Sequence, residues 1–185
     1  MQYVKNTSQF GVFLAVLLAM GALAREKERG TAAMIISKPA SRASFLLAKF
    51  VALTLVFSLC LALAGLACYY YTIVLFKGIG EAHFVEMNLL LALFIEFYLA
   101  VTLLGSTIAR SQVAAGGLGL GAVFVVAALG ALPQLGNYMP TALLNWARGL
   151  MAGSGEPVWG AVAVSLGAII VCLGAALAVF KQQEL

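Results

Sequence analysis

The stretch "AREKERGTAAMIISKPASR", residues 24–42, is where an otherwise oily chain becomes charged. It holds five of the eleven basic residues, Lys49 follows close behind, and long apolar runs lie on both sides. Over 185 residues the chain is 63% hydrophobic and 10% charged. A soluble domain is about 45–50% apolar and about 25% charged. So much apolar surface exceeds what one small core can hide, which excludes an ordinary soluble globule and makes lipid the main solvent.

A bilayer core of about 30 Å takes about 20 apolar residues of helix. Five runs meet that length, at 6–24, 45–76, 87–109, 112–132 and 157–180, and together they make one transmembrane domain over 1–185. Each can satisfy its own backbone as a helix, as lipid demands, and the alternation of barrel strands is absent. The second run is overlong. From Phe50 to Phe76 it reaches about 40 Å, so it must tilt, bend near Gly65 or project from the membrane. Tyr69, Tyr70 and Tyr71 mark its outer end.

Direction follows from the basic residues of short loops. Arg25, Lys27, Arg29, Lys38, Arg42 and Lys49, against Glu26 and Glu28, give the first loop a net charge of +4, that of the whole chain. This elbow, 25–44, is expected to be cytoplasmic. Alternation then places 77–86 and 133–156 outside, Arg110 and Ser111 inside and the C-terminus inside. With five spans the N-terminus falls outside. No cleavable leader is evident, and the odd external start suggests a fragment that lacks a preceding span.

Within the elbow, "REKERG" reads as the polar extension of the first span, stopped at Gly30. Thr31 can cap a helix over 31–37 that sets Ala32, Ile35 and Ile36 on one face, and Pro39 ends it. At about two turns this helix is too short to cross a bilayer and too apolar to float free, so it is expected to lie along the surface. Ser41 then caps the second span. Three readings stay open: a charge cluster that only sets topology, a site for anionic lipid, or a docking surface for a cytoplasmic partner. The alternating charges, the glycine and proline breaks and the rigid lateral helix favour the shaped contact.

The ordered set Glu26, Glu28, Arg29, Gly30, Thr31, Lys38, Pro39, Ser41, Arg42 and Lys49 closely resembles the signature loop of type-2 ATP-binding-cassette (ABC) transporter permeases. "NYMPTALLNWA", 137–147, resembles the external segment before that family's last span, and "AVFKQQEL" resembles its C-terminus. The resemblance implies an all-α polytopic membrane protein with five transmembrane helices of the family's usual six. It also implies a lateral coupling helix and an external amphipathic helix before the last span. By the same resemblance, the chain is the permease subunit of a multi-pass transporter in the cell membrane, working in export. A separate cytoplasmic ABC ATPase subunit uses the ATP, and a second permease copy or paralogue completes a dimer. Met34, Ile35 and their neighbours in 31–37 would make the ATPase contact, with Glu26, Glu28 and Arg29 at its edge. The alternative is a non-transporting membrane scaffold that recruits a cytoplasmic partner through the basic elbow.

Other features are weaker. No G-x-x-x-x-G-K-S/T phosphate loop occurs, so no catalytic residue and no directly bound cofactor are expected. Nothing suggests nucleic acid. In the glycine run 114–121, Gly117 and Gly121 are four apart and are expected to mediate close helix packing. Cys60, Cys68 and Cys172 read as small hydrophobes, and the lone His83 as a loop residue, so no metal site is expected. Glu96 is the one acid deep in a span and is costly there unless paired or wet. It either lines a translocation path or forms a hydrogen-bonded carboxyl met by Tyr98, Thr102 or a neighbouring helix. In the external segment Leu143, Leu144, Ala147, Leu150 and Met151 share a face, with Trp146 expected as an interfacial anchor.

Overall fold

A computed structural model describes residues 2–28, 42–76 and 81–182. Among them the chain is all helical, in seven α-helices and one short 3-10 turn: α1 (Gln2–Met20), α2 (Ala24–Glu28), α3 (Arg42–Phe76), α4 (Glu81–Ile108), α5 (Gln112–Gly130), the 3-10 turn (Gly136–Tyr138), α6 (Thr141–Ala152) and α7 (Trp159–Gln182). Five segments are long and apolar enough to cross a membrane. Helix α3 is a single unbroken element of 35 residues, about 52 Å long at 1.5 Å per residue. It stays helical through Gly65, where the backbone admits the side chain of Asn88. Helix α4 begins at Glu81, so exposed His83 lies in its first turns rather than in a connector.

The helices are arranged around α4. It packs against α1, α3, α5, α6 and α7, and Met87, Leu91, Leu99 and Leu103 along it are sealed from solvent. Some 67% of its apolar window is buried, against 11% for α3. Helix α3 instead turns Leu55, Leu59, Leu63 and Leu66 outward. Such a surface is stable only where the outer solvent is itself apolar.

Small residues set how closely the helices approach. A Cβ on Gly116 would lie 2.7 Å from the sulfur of Met20. One on Gly119 would meet Thr102 Oγ1 at 2.7 Å and Val16 Cγ1 at 3.0 Å. With fully buried Ala115, these residues let α1, α4 and α5 converge near the end of the bundle that holds α2. The expected pair Gly117 and Gly121 does not do this: neither has another atom within 4 Å of an added Cβ. The small-xxx-small device is present, but in the register of Ala115 and Gly119, because that edge of α5 faces the bundle.

Helix α6 closes the far end. It stops at Gly153, whose φ of 73° is left-handed, and Ser154 N–H closes the cap on Gly149 O at 3.0 Å. Ala142, Leu143, Trp146 and Ala147 form its buried face. Trp146 is therefore a core residue and not an interfacial anchor; it belongs to the stripe at three- and four-residue spacing. Its ring meets Trp159 edge-on at 5.4 Å, and it is Trp159 that is exposed. The same end is tied by Tyr3, whose hydroxyl donates to Asn88 Oδ1 at 2.8 Å and whose ring stacks on Phe84.

The glycine register is directly testable. Gly119→Leu is expected to destabilise the protein by about 1–3 kcal/mol through overpacking, whereas Gly117→Leu stays within about 0.5 kcal/mol. Unfolding of both variants in detergent micelles distinguishes them.

Candidate coupling site

Helix α1 ends at Met20, not at Gly30, and the chain turns through 21–23 before the single turn of α2. Gly21 favours the break by its low helix propensity, and the side chain of Gln112 lies over it at 3.4 Å from an added Cβ. A break at the edge of an apolar bundle leaves backbone groups that must find partners. One hydroxyl on α4 supplies them. Ser106 Oγ accepts from Leu23 N–H at 3.0 Å and from Ala24 N–H at 2.9 Å, and it donates to Met20 O at 2.9 Å. Around it Ala24, Ala109 and Ala115 pack without side-chain bulk.

Of the four charges that follow, Glu26, Lys27 and Glu28 each reach a different helix. Glu26 Oε1 pairs with Lys49 Nζ of α3 at 2.5 Å, with both side chains about three-quarters buried. Lys49 also donates to Ala22 O and lies 5.0 Å above the Phe45 ring. Lys27 Nζ donates to Thr107 O in the last turn of α4, where unpaired carbonyls favour a cation. Glu28 Oε2 accepts from Gln112 N–H, the first residue of α5, at 3.4 Å, at a helix start that favours an anion. The same start is capped by Ser111 Oγ, which accepts from Ala114 N–H at 3.2 Å. At 100° per residue, consecutive positions of one helical turn face three directions. The alternating signs of "REKE" therefore knot α2 to α3, α4 and α5 together.

Of the residues expected at the ATPase contact, Glu26 and Glu28 lie in this knot, and Arg42 opens α3. Arg29, Gly30, Thr31, Met34, Ile35, Lys38, Pro39 and Ser41 lie outside the described residues, as does the lateral helix itself. The structure fixes the two stems, α2 and the start of α3, between which that segment runs. Reading the residues in sequence missed Ser106, although a hydroxyl beside Gly105 in an apolar span is a visible signal. It also missed that Lys49 is the internal partner of Glu26.

Glu96 lies elsewhere, half-buried on α4 beside Phe57, Ser58 and Leu61 of α3. It has no hydrogen-bond or ionic partner among the described residues. Neither Tyr98 nor Thr102 meets it. They are two and six residues on, about 200° and 240° around the helix. Thr102 instead packs against Gly119, and Tyr98 sits edge-on to Phe94 and Phe97. The three cysteines are free, and no group of three potential metal ligands occurs among the described residues.

The weight placed on Ser106 has a direct check. Ser106→Ala leaves two buried N–H groups and a carbonyl without their partner and is expected to cost about 2–4 kcal/mol. Ser165 Oγ only bonds back to Ala161 O in its own helix, so Ser165→Ala should cost less than about 1 kcal/mol. Equal losses in a micelle unfolding assay would remove Ser106 from this role.

Comparison with known proteins gives this arrangement its context. The family model described as "ABC-2 family transporter protein" matches residues 1–185. An uncharacterised transmembrane protein, YxlG of Bacillus subtilis (strain 168), is 29% identical over 152 residues, which cover 80% of this chain and 59% of that protein. The chain thus spans less than two thirds of the length of that relative. A helical bundle of spans, with charged stems knotted at one end and a family match along its whole length, makes the chain a member of the ABC-2 transporter family.

Proposed function

We propose that the protein is the membrane-spanning permease subunit of an ABC transporter, coupling ATP hydrolysis by a separate cytoplasmic ATPase subunit to export across the cell membrane. The observation that carries this reading is the α2 knot. A segment that receives force from a soluble motor must be joined to the spans by stems that do not give way, since packed elements move as discrete bodies. Here Glu26–Lys49 joins the stem entering 29–41 to the stem leaving it, while Ser106 and Lys27 bind the entering stem to α4, the hub of the bundle. A push on 29–41 would thus reach α1, α3 and α4 together. In this reading residues 31–37, with Met34 and Ile35, occupy the ATPase subunit, and a second permease copy or paralogue completes the assembly.

Sidedness supports it. Arg25, Lys27, Lys49, Arg110 and Lys181 all belong to the knotted end, where Leu23 of the α1–α2 turn, Leu46 of α3 and Phe180 of α7 form one cluster. Lys5 and Arg148 belong to the other end, as do Glu86 and Glu156. The bias of basic residues supports a cytoplasmic placement of the knotted end, the side on which ATP is hydrolysed. The N-terminus of α1 then faces out, and the C-terminus faces in.

Co-expression with a candidate ABC ATPase from the same genome, followed by co-purification, tests the proposal. The wild-type chain should retain the ATPase and stimulate its turnover. Gly30→Pro and Ile35→Glu should each reduce retention about tenfold or more, the effect of losing contacts worth about 1.4 kcal/mol, with unfolding midpoints unchanged. Retention untouched by both changes would mean that the elbow is not the dock. Retention without any effect of the chain on turnover would favour a scaffold.

A further inference from the structure

The convergence of α1, α4 and α5 at the glycines has a counterpart at the other end. Beyond Gly119, α5 presents Val123 and Phe124 in place of small packing residues, and a cavity of about 930 Å³, which Ala127 also lines, opens between α1, α4, α5 and α6. Its volume falls in the range of ligand pockets, about 300–1,000 Å³. One side is open: Phe13 of α1 and Phe124 of α5, both on its wall, are 56% and 74% exposed. The mouth therefore faces the hydrocarbon between two spans.

Its lining is divided. Toward the far end stand Lys5, Gln9 and Arg148, and below them the wall is Val12, Phe94, Leu120 and Val123. No acidic residue lines it. Neither Lys5 nor Arg148 has an ion-pair partner among the described residues; Arg148 makes one long bond to Asn145 of its own helix, at 3.4 Å. Two interfacial cations alone could be simple anchors. Tyr98 argues for more. It lines the same cavity and is 2% exposed, yet its hydroxyl has no hydrogen-bond partner among the described residues. The hydroxyl itself is not sealed, so it opens on the cavity and is free to donate there. Side chains on a helix lean toward its N-terminus, so the Tyr98 ring leans toward the cationic end.

We infer that this cavity binds an acidic phospholipid of the surrounding bilayer, with its phosphate on Lys5 and Arg148, an ester oxygen accepting from Tyr98 and an acyl chain along Val12, Phe94, Leu120 and Val123. Charge complementarity selects the headgroup, and the apolar wall selects the tail. Binding requires no ATPase, so this inference and the coupling proposal stand or fall separately.

Native mass spectrometry of the purified protein, released from zwitterionic micelles, tests it with three probes: phosphatidylglycerol, phosphatidylcholine with the same acyl chains, and glycerol 3-phosphate. Phosphatidylglycerol should be retained at one per chain and about tenfold or more tighter than phosphatidylcholine, as the loss of charge-assisted hydrogen bonds requires. Lys5→Gln with Arg148→Gln should abolish the preference. Ala127→Phe, which fills the cavity and leaves both cations in place, should expel the lipid. Arg110→Gln, a charge loss at the knotted end, should leave it bound. Equal retention of the two lipids, equal loss in Arg110→Gln, unchanged binding in Ala127→Phe, or glycerol 3-phosphate binding as tightly as the lipid would each overturn the inference.

Discussion

One turn of charged helix, α2, decides how the chain entering 29–41 is attached to the bundle. A chain that breaks at Gly21 beside an apolar bundle exposes amides that lipid cannot satisfy. Ser106 meets two of them and the carbonyl of Met20 at once. Only then can Glu26, Lys27 and Glu28 point to three helices. Each charge meets its opposite: an ammonium, the carbonyl end of α4 and the amide end of α5. A single surface ion pair contributes little to stability. Here the pair is three-quarters buried, is backed by a ring and a carbonyl, and is one of several ties in a network.

The bundle is correspondingly asymmetric. At the knotted end, Ala115, Gly116 and Gly119 bring three helices into contact. At the other end α5 presents the larger Val123 and Phe124, α6 packs against α1, α4, α5 and α7, and Tyr3, Asn88, Phe84 and Trp146 replace small-residue packing with hydrogen bonding and aromatic contact. Such a body is tight at the knotted end and roomy at the other. Helix α3, linked to the rest through Lys49, Leu46, Leu61 and Tyr69 among others, shares with α7 the least buried apolar window.

Much of this was legible in the residues. Five long apolar runs fix the helical class, because lipid leaves helices as the means by which such runs satisfy their backbones. The helix before the last span was legible from the spacing of Leu143, Ala147 and Leu150. What was not legible depended on which face turned inward. Gly117–Gly121 and Ala115–Gly119 satisfy the same four-residue rule, and in a span that is apolar all round no polar face chooses between them. Trp146 suits an interface as well as a core until its neighbours are known. The break at Gly21 was hidden because its remedy, Ser106, lies 83 residues from Leu23 along the chain. That Tyr98 and Thr102 turn away from Glu96 could have been read from helical geometry alone.

The joining of α2 to α3 rests on Glu26 and Lys49 acting as a unit, and a double-mutant cycle measures that unit. Unfolding free energies of Glu26→Gln, Lys49→Gln and the double variant, taken in the same micelles, should show a coupling of about 1 kcal/mol or more, as expected of a desolvated, networked pair. Additivity within about 0.3–0.5 kcal/mol would show that the two stems are not joined by this contact and would contradict the account.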